Sequence, residues 1–332
     1  MKLKFWSKKK QKTDLEKVAE RREQVLSRGR KFKYPLQYTK HRIVMNTILI
    51  SSIMFAIILL LGYLALYQFK MTDDILYYSS RVLPVPVASV DGEYALFSDY
   101  LLFYRSAIAS IENQSTSSSE DSQASDLKTQ YKRSALDEAE RYAYAIKLAK
   151  ANNITVSKEE ITSEFNRHRQ VGGVDRSEEG FLKILKDNFG LTKDEYERML
   201  YLILIKAKVE AAIDETASAT ATELENILVA NNNNFTDAKS QLGDKIIYES
   251  TGELIDNKNV DGGRASKATT LAVGAVSEQF VSLNGDGYYY VKLIAKTESK
   301  VNFESLKITF TEFNTRFNSL KDENKIQEFI TL

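Results

Sequence analysis

The stretch "FLKILKDNFGLTKDEYERMLYLILIKAKV", residues 181–209, decides the fold. Phe181, Leu182, Ile184 and Leu185 recur at helical spacing. Ser177 stands at an N-cap position and Gly190 at a left-handed C-cap. Thr192, followed three residues later by Glu195, forms a capping box that opens a second helix over 193–213. The stripe Phe181, Leu185, Phe189, Tyr196, Met199, Leu200, Ile203 and Leu204 gives the pair an apolar seam. Most of such a seam forms bundle core. The remainder is free to line a groove, since Met and aromatic side chains adapt to varied partners.

The same pattern extends upstream. Ser157 with Glu160 is another capping box, starting a helix over 157–170 that Gly172-Gly173 breaks. Leu136, Ala139, Tyr142, Ala143, Ile146 and Leu148 mark a helix over 136–154. Residues 113–126, NQSTSSSEDSQASD, are Ser-rich and apolar-poor, which predicts a flexible loop. Before it, Val85, Val87 and Val90 read as a strand, Asp91-Gly92 as a turn and Ser98 as the cap of a helix from Asp99. Helices in series with short connections make a bundle.

Downstream of Ala217 the pattern changes. Thr222 to Val229 reads as helix, and Lys245–Tyr248, Thr269–Val273 and Tyr288–Ile294 as short strands between Gly-rich turns. Phe303–Phe310 alternates like a strand, Thr311–Leu320 is helical in pattern, and Ile326–Leu332 reads as a closing strand.

Residues 43–69, IVMNTILISSIMFAIILLLGYLALYQF, carry no charge and exceed the roughly 18 apolar residues needed for a membrane span. The preceding basic region is longer than that of a cleaved signal peptide, so the segment reads as an uncleaved signal anchor. Residues 1–42 hold fifteen Lys and Arg against four Asp and Glu, which places them in the cytoplasm and the remainder outside. That arm is either a topology signal alone or also a contact for anionic headgroups. Residues 70–84 read as a stalk.

Over the whole chain, 46 basic and 45 acidic residues nearly cancel, and the tether argues against a nucleic-acid role for the arm. With no cysteine, disulfides, thiolate nucleophiles and Cys-ligated metals are excluded. The two histidines are His41 and His168; His168, flanked by Arg167 and Arg169, reads as part of a solvated helix face. The carboxylate pairs Glu159-Glu160, Glu178-Glu179 and Asp194-Glu195 fall in first helical turns, where they complement the dipole. No spacing matches a metal or nucleotide site.

Several of these stretches together resemble one family. "VASVDGEYALFSDY", "LDEAERYAYAIKLAKANNITVSKEEI" and the "F-G-L-T-x-x-E-Y" corner are similar to the chaperone core of peptidyl-prolyl isomerase chaperones of the SurA, PpiD and PrsA kind. "DGGRASKATTLAVGAVSEQFVSLNGDGYYYVKLIAK", 261–296, resembles the second half of a parvulin domain. The resemblance implies an α+β chain. It comprises a cytoplasmic arm (1–42), a transmembrane anchor (43–69), a stalk (70–84) and a SurA-like helical core (85–217). A degenerate parvulin-like domain (218–299) and a C-terminal segment (300–332) returning to complete the core would follow. Parvulins set paired histidines with a Cys or Asp beside the proline pocket, and this chain cannot supply them. The resemblance therefore implies a holdase or foldase that binds unfolded or exported polypeptides at the bilayer, with no catalytic residue, metal or small-molecule cofactor. Phe181, Leu185, Phe189, Tyr196, Met199, Leu200, Tyr288 and Tyr289 are the candidate peptide contacts. A divergent prolyl isomerase and a structural envelope scaffold are the alternatives.

Overall fold

A computed structural model describes residues 13–33, 35–114, 121–170, 174–259 and 261–332, with the side chains of 30–41 and 112–125 left undescribed. The predicted break at Gly172-Gly173 and the first twelve residues of the basic arm lie outside the described residues. The chain divides into two units, Met1–Phe69 and Lys70–Leu332.

The first unit is helical. α1 (Asp14–Lys33) is polar. α2 (Pro35–Tyr63) continues through a π-helical turn, Leu64–Gln68, in which the Phe69 N–H donates to the Leu64 carbonyl at 2.9 Å. Arg42–Gln68, 27 residues, is long and apolar enough to cross a membrane. At 1.5 Å per residue it reaches about 40 Å, against a hydrocarbon core of roughly 30 Å.

The second unit begins with α3 (Asp74–Val82) and not with a stalk. Tyr77 and Ser80 are buried, and the Arg105 guanidinium lies 4.4 Å from the Tyr77 ring while pairing with Asp74 at 2.8 Å. The apolar residues that looked like a spacer thus dock a helix onto the domain.

β1 (Pro86–Val90) is the expected strand, and after the expected turn β2 (Glu93–Leu96), a strand not predicted, pairs back onto it as a hairpin. Asp91 (φ 48°) and Gly92 (φ 88°) both take positive φ, as a two-residue turn that follows the strand twist requires. α4 (Phe97–Gln114) starts one residue before the predicted cap, Ser98. α5 (Asp121–Ala151) is helical from Asp121, so residues 113–114 and 121–126 are helical where a loop was predicted. Their low apolar content did not prevent extension of a helix whose later turns are anchored by Leu136, Ala139 and Ala143 in the core.

α6 (Lys158–Arg169), α7 (Glu178–Phe189) and α8 (Lys193–Ile213) keep the boundaries the caps predict. Both capping boxes are closed, and Gly190 adopts the left-handed C-cap (φ 65°).

The change of pattern comes at Asp214, three residues before the position the sequence suggested, with Asp214 capping α9 (Glu215–Ala230). α10 (Phe235–Leu242), capped by Asn234, leads to β3 (Ile247–Ser250) and β4 (Ile255–Asp256). α11 (Arg264–Thr269) follows, then β5 (Phe280–Val281), β6 (Gly287–Lys296) and β7 (Lys300–Thr309). The strand expected at Thr269–Val273 is instead the end of α11 and a turn. Lys296 Nζ donates to the Thr269 and Leu271 carbonyls at 3.1 and 2.7 Å, holding them away from any ladder. β7 also departs from expectation. It does not belong to a returning C-terminal segment but lies inside the antiparallel sheet β3-β7-β6-β5, with β4 pairing to it as well.

α12 (Glu312–Asp322) and β8 (Ile326–Glu328) do return. β8 pairs antiparallel with β1 to complete the sheet β2-β1-β8. The molecule beyond Phe69 is therefore a mixed α+β structure of two lobes. A helical lobe holds its small sheet at one side, and a second lobe, residues 215–310, is inserted before the C-terminal return.

Candidate functional site

The α7–α8 corner places the stripe that dominates the sequence. Gly190 reverses the chain, Leu191 plugs the corner and the Thr192 box starts α8, so the two helices meet with their apolar faces turned inward. The faces do not close. A groove of about 570 Å³ remains, lined by Phe181, Ile184, Leu185 and Phe189 of α7 and by Tyr196 and Met199 of α8. Leu191, Ser106 of α4, His168 of α6 and Arg176 complete its lining. The volume lies within the roughly 300–1,000 Å³ typical of ligand sites.

Phe181 and Leu185 form the floor, 8% and 3% exposed, while Ile184 and Phe189 stand at the rim, 36% and 37% exposed. Phe165 stiffens the floor from behind, edge-on to Phe181 at 5.4 Å, and Tyr196 meets Phe181 at 5.7 Å. Such pairs contribute about 0.5–1.5 kcal/mol each beyond their burial.

The polar end of the groove is organised around His168. Its Nδ1 lies 2.5 Å from the Tyr196 hydroxyl and its Nε2 lies 3.1 Å from Glu164. With the Arg167 guanidinium also 3.0 Å from Nε2, His168 is half-buried among three partners and not part of a solvated face. Glu164 also accepts from Arg167 Nε at 2.9 Å. Burial opposes its ionisation, but the hydrogen bonds from His168 and Arg167 prevail and hold the carboxyl at about 2. Burial, with the Glu164 charge adding to it, pushes the Tyr196 phenol up to about 12. The network fixes the ring of Tyr196 as a wall and supplies no nucleophile.

Of the eight candidate contacts, Phe181, Leu185, Phe189, Tyr196 and Met199 line the groove. Leu200 does not. It is 1% exposed, in the core behind the groove. Tyr288 and Tyr289 are also misplaced, since both are buried in the second lobe's sheet. Tyr288 packs edge-on to Phe310 at 4.8 Å and donates to the Ala211 carbonyl at 2.8 Å. Tyr290 shares its face and reaches Glu225 at 3.0 Å. Tyr289 points the other way, donating to Asp286 at 3.1 Å and stacking on Phe280 at 6.1 Å. All three hydroxyls are thus committed to structural bonds.

Ser106, His168, Arg176, Ile184 and Leu191 were not singled out as groove residues from the sequence. For Ile184 and Leu191 the signal was present, as they flank the stripe; for Ser106 there was none, because its helix meets α7 only through the fold. Comparison with family models, curated proteins and solved structures gives no match to this chain.

Proposed function

We propose that the protein is a membrane-anchored chaperone that holds apolar segments of unfolded or newly exported polypeptides, with no covalent step. On this reading Arg42–Gln68 spans the bilayer, residues 1–41 are cytoplasmic and the two lobes are extracytoplasmic. The observation that carries it is the open groove. An aromatic and aliphatic seam of the kind a helix pair normally seals stays accessible along Ile184 and Phe189. Binding would follow from desolvating client side chains, at roughly 25 cal/mol per Å² of apolar surface buried. The mixture of Phe, Ile, Met and Tyr suits varied sequences better than one fixed ligand.

The test uses the full chain in lipid nanodiscs, challenged with a chemically unfolded client. Suppression of client aggregation, competed by apolar peptides, is expected. No suppression and no peptide binding refutes the reading. Acceleration of a proline-limited refolding reaction would replace it with isomerase activity, and co-purification with one fixed partner without general peptide affinity would replace it with a scaffold.

A further inference from the structure

The helix that replaces the expected stalk has two faces. One is docked through Tyr77 and Ser80. The other carries Ile75, Tyr78 and Val82 at i, i+3 and i+7, which are 80%, 48% and 80% exposed. Ile75 and Val82 stand open, while Tyr78 is half covered by Arg105, 5.8 Å from its ring, and by the neighbouring Tyr77 ring at 5.2 Å. The docked face holds it rigid, because Arg105 clamps both Tyr77 and Asp74.

Three lysines accompany the stripe. Lys70 precedes α3, and Lys128 and Lys132 are one turn apart on α5. Burial, and after it the charges of Lys70 and Lys128, push the Lys132 ammonium down, which places the three amines within one another's field. Among the described residues none of the three is ion-paired. The nearby acids are Asp73, the exposed N-cap of α3, and Asp74 of its first turn, already held by Arg105. Lys128 lines a cleft of about 320 Å³ with Thr72, Asp74 and Arg105, adjoining the groove through Phe189 and Leu191.

We propose that α3 lies in the bilayer interface, with Ile75, Tyr78 and Val82 among the acyl chains and Lys70, Lys128 and Lys132 on anionic headgroups. Chain continuity selects the bilayer over other occupants. Only residues 69–73 separate α3 from the end of the apolar helix, a reach of at most about 18 Å. A short helix with an apolar stripe, an interfacial tyrosine and flanking lysines matches the chemistry of a membrane surface. The inference rests on the anchor reading above and adds a second, peripheral contact that would fix how the helical lobe stands on the membrane.

The chain has no native cysteine, so Ile75→Cys, Val82→Cys, Ile58→Cys and Val229→Cys each give a unique site for a nitroxide label. The full-length variants are reconstituted into phosphatidylcholine vesicles with about a quarter phosphatidylglycerol, and accessibility to oxygen and to an aqueous nickel chelate is compared. Labels at 75 and 82 should favour oxygen several-fold, as at 58, while 229 on α9, 82% exposed, favours the chelate. Without phosphatidylglycerol, or with Lys70, Lys128 and Lys132 all changed to Gln, chelate access at 75 and 82 should rise at least about threefold. Labels at 75 and 82 as aqueous as 229, with 58 in lipid, overturn the inference and leave the anchor standing. An aqueous label at 58 as well overturns both. Spin–spin broadening between copies assigns the stripe to a second molecule and overturns the inference. Insertion indifferent to the lysines and to phosphatidylglycerol overturns their assigned role.

Discussion

Glu140 should make the stability of this protein fall as pH rises from about 4.5 to about 7. It is 0% exposed, on the face of α5 that carries the C-terminal return, and neither carboxyl oxygen has a hydrogen-bond partner among the described residues. The charges around it are Arg133 and Asp137 of α5, Lys321 of α12 and Glu328 of β8. Arg133 is already forked onto Glu328 at 2.7 Å, and Lys321 is paired with Asp137 at 2.5 Å, so neither cation is free for Glu140. Burial, reinforced by the Glu328 charge, pushes the carboxyl up from 4.5 to about 7. Between those values the folded chain holds a proton that the unfolded chain has released, so stability declines with pH across that interval and levels off above about 7. At about 1.4 kcal/mol per pKa unit, the full decline is on the order of 3 kcal/mol. Glu140→Gln removes the ionisation and keeps the shape. Urea unfolding of the full chain in detergent at pH 5 and pH 8.5 measures the difference. Wild type should lose about 3 kcal/mol more than the variant over that range. Other acids with raised values, buried Glu210 and the partly buried Glu138 and Asp261, slope the same way but cancel in the comparison. Parallel pH profiles for the two proteins would refute the argument.

At the groove, Ile184→Asp with Phe189→Asp changes only rim positions and should weaken apolar-peptide binding at least tenfold, read by fluorescence anisotropy, with the unfolding midpoint nearly unchanged. Asp214→Ala removes the cap of α9 and the acceptor of the Thr311 and Glu312 N–H groups, and should cost about 2–4 kcal/mol in urea unfolding; Asp214→Asn should cost less. Glu164, held at about 2, stabilises the fold fully above 4.5 and loses that contribution as pH falls toward 2. Glu164→Gln should therefore flatten the acid limb of stability, measured by circular dichroism.

What the sequence made legible follows from how local each signal is. The helices over 158–169, 178–189 and 193–213 were readable to within a residue because their caps lie within four residues of the ends they define. β7 shows the opposite case. Its alternation identifies a strand, but the C-terminal segment expected to start at 300 cuts the chain at the β6–β7 hairpin turn, while its other neighbour, β3, lies more than fifty residues upstream and leaves no local signal. α3 was missed because its nine residues are fewer than the window over which helical periodicity is read, and they adjoin the long apolar span. In the groove, the stripe was legible but its separation into floor and rim was not, since α4 and α6 set which residues stay open. His168 was hidden by its arginine neighbours, although Glu164 one turn earlier on α6 offered a hint.

The tyrosine strand gains its meaning from this topology. Ala88 of β1 pairs with Glu328 of β8 across 240 residues, and closing a flexible loop of that length costs about 5 kcal/mol. The second lobe shortens that loop. Asp214 caps α9 with one oxygen and accepts from Thr311 and Glu312 with the other, at 2.7 and 3.1 Å, so the chain leaves and rejoins the helical lobe at one side chain. Tyr288 extends the same junction to the Ala211 carbonyl near the end of α8. At Gly285 (φ 71°) an added Cβ would sit 2.6 Å from that of Ala207, so the turn before the strand packs directly on the same helix. Tyr196 and Met199, which wall the groove, belong to the opposite end of α8. The second lobe is therefore tied to the far end of α8 and returns the C-terminal strand to β1. Tyr288 bonds to α8, while Tyr289 and Tyr290 bond to Asp286 and Glu225 and so brace the sheet that carries the turn.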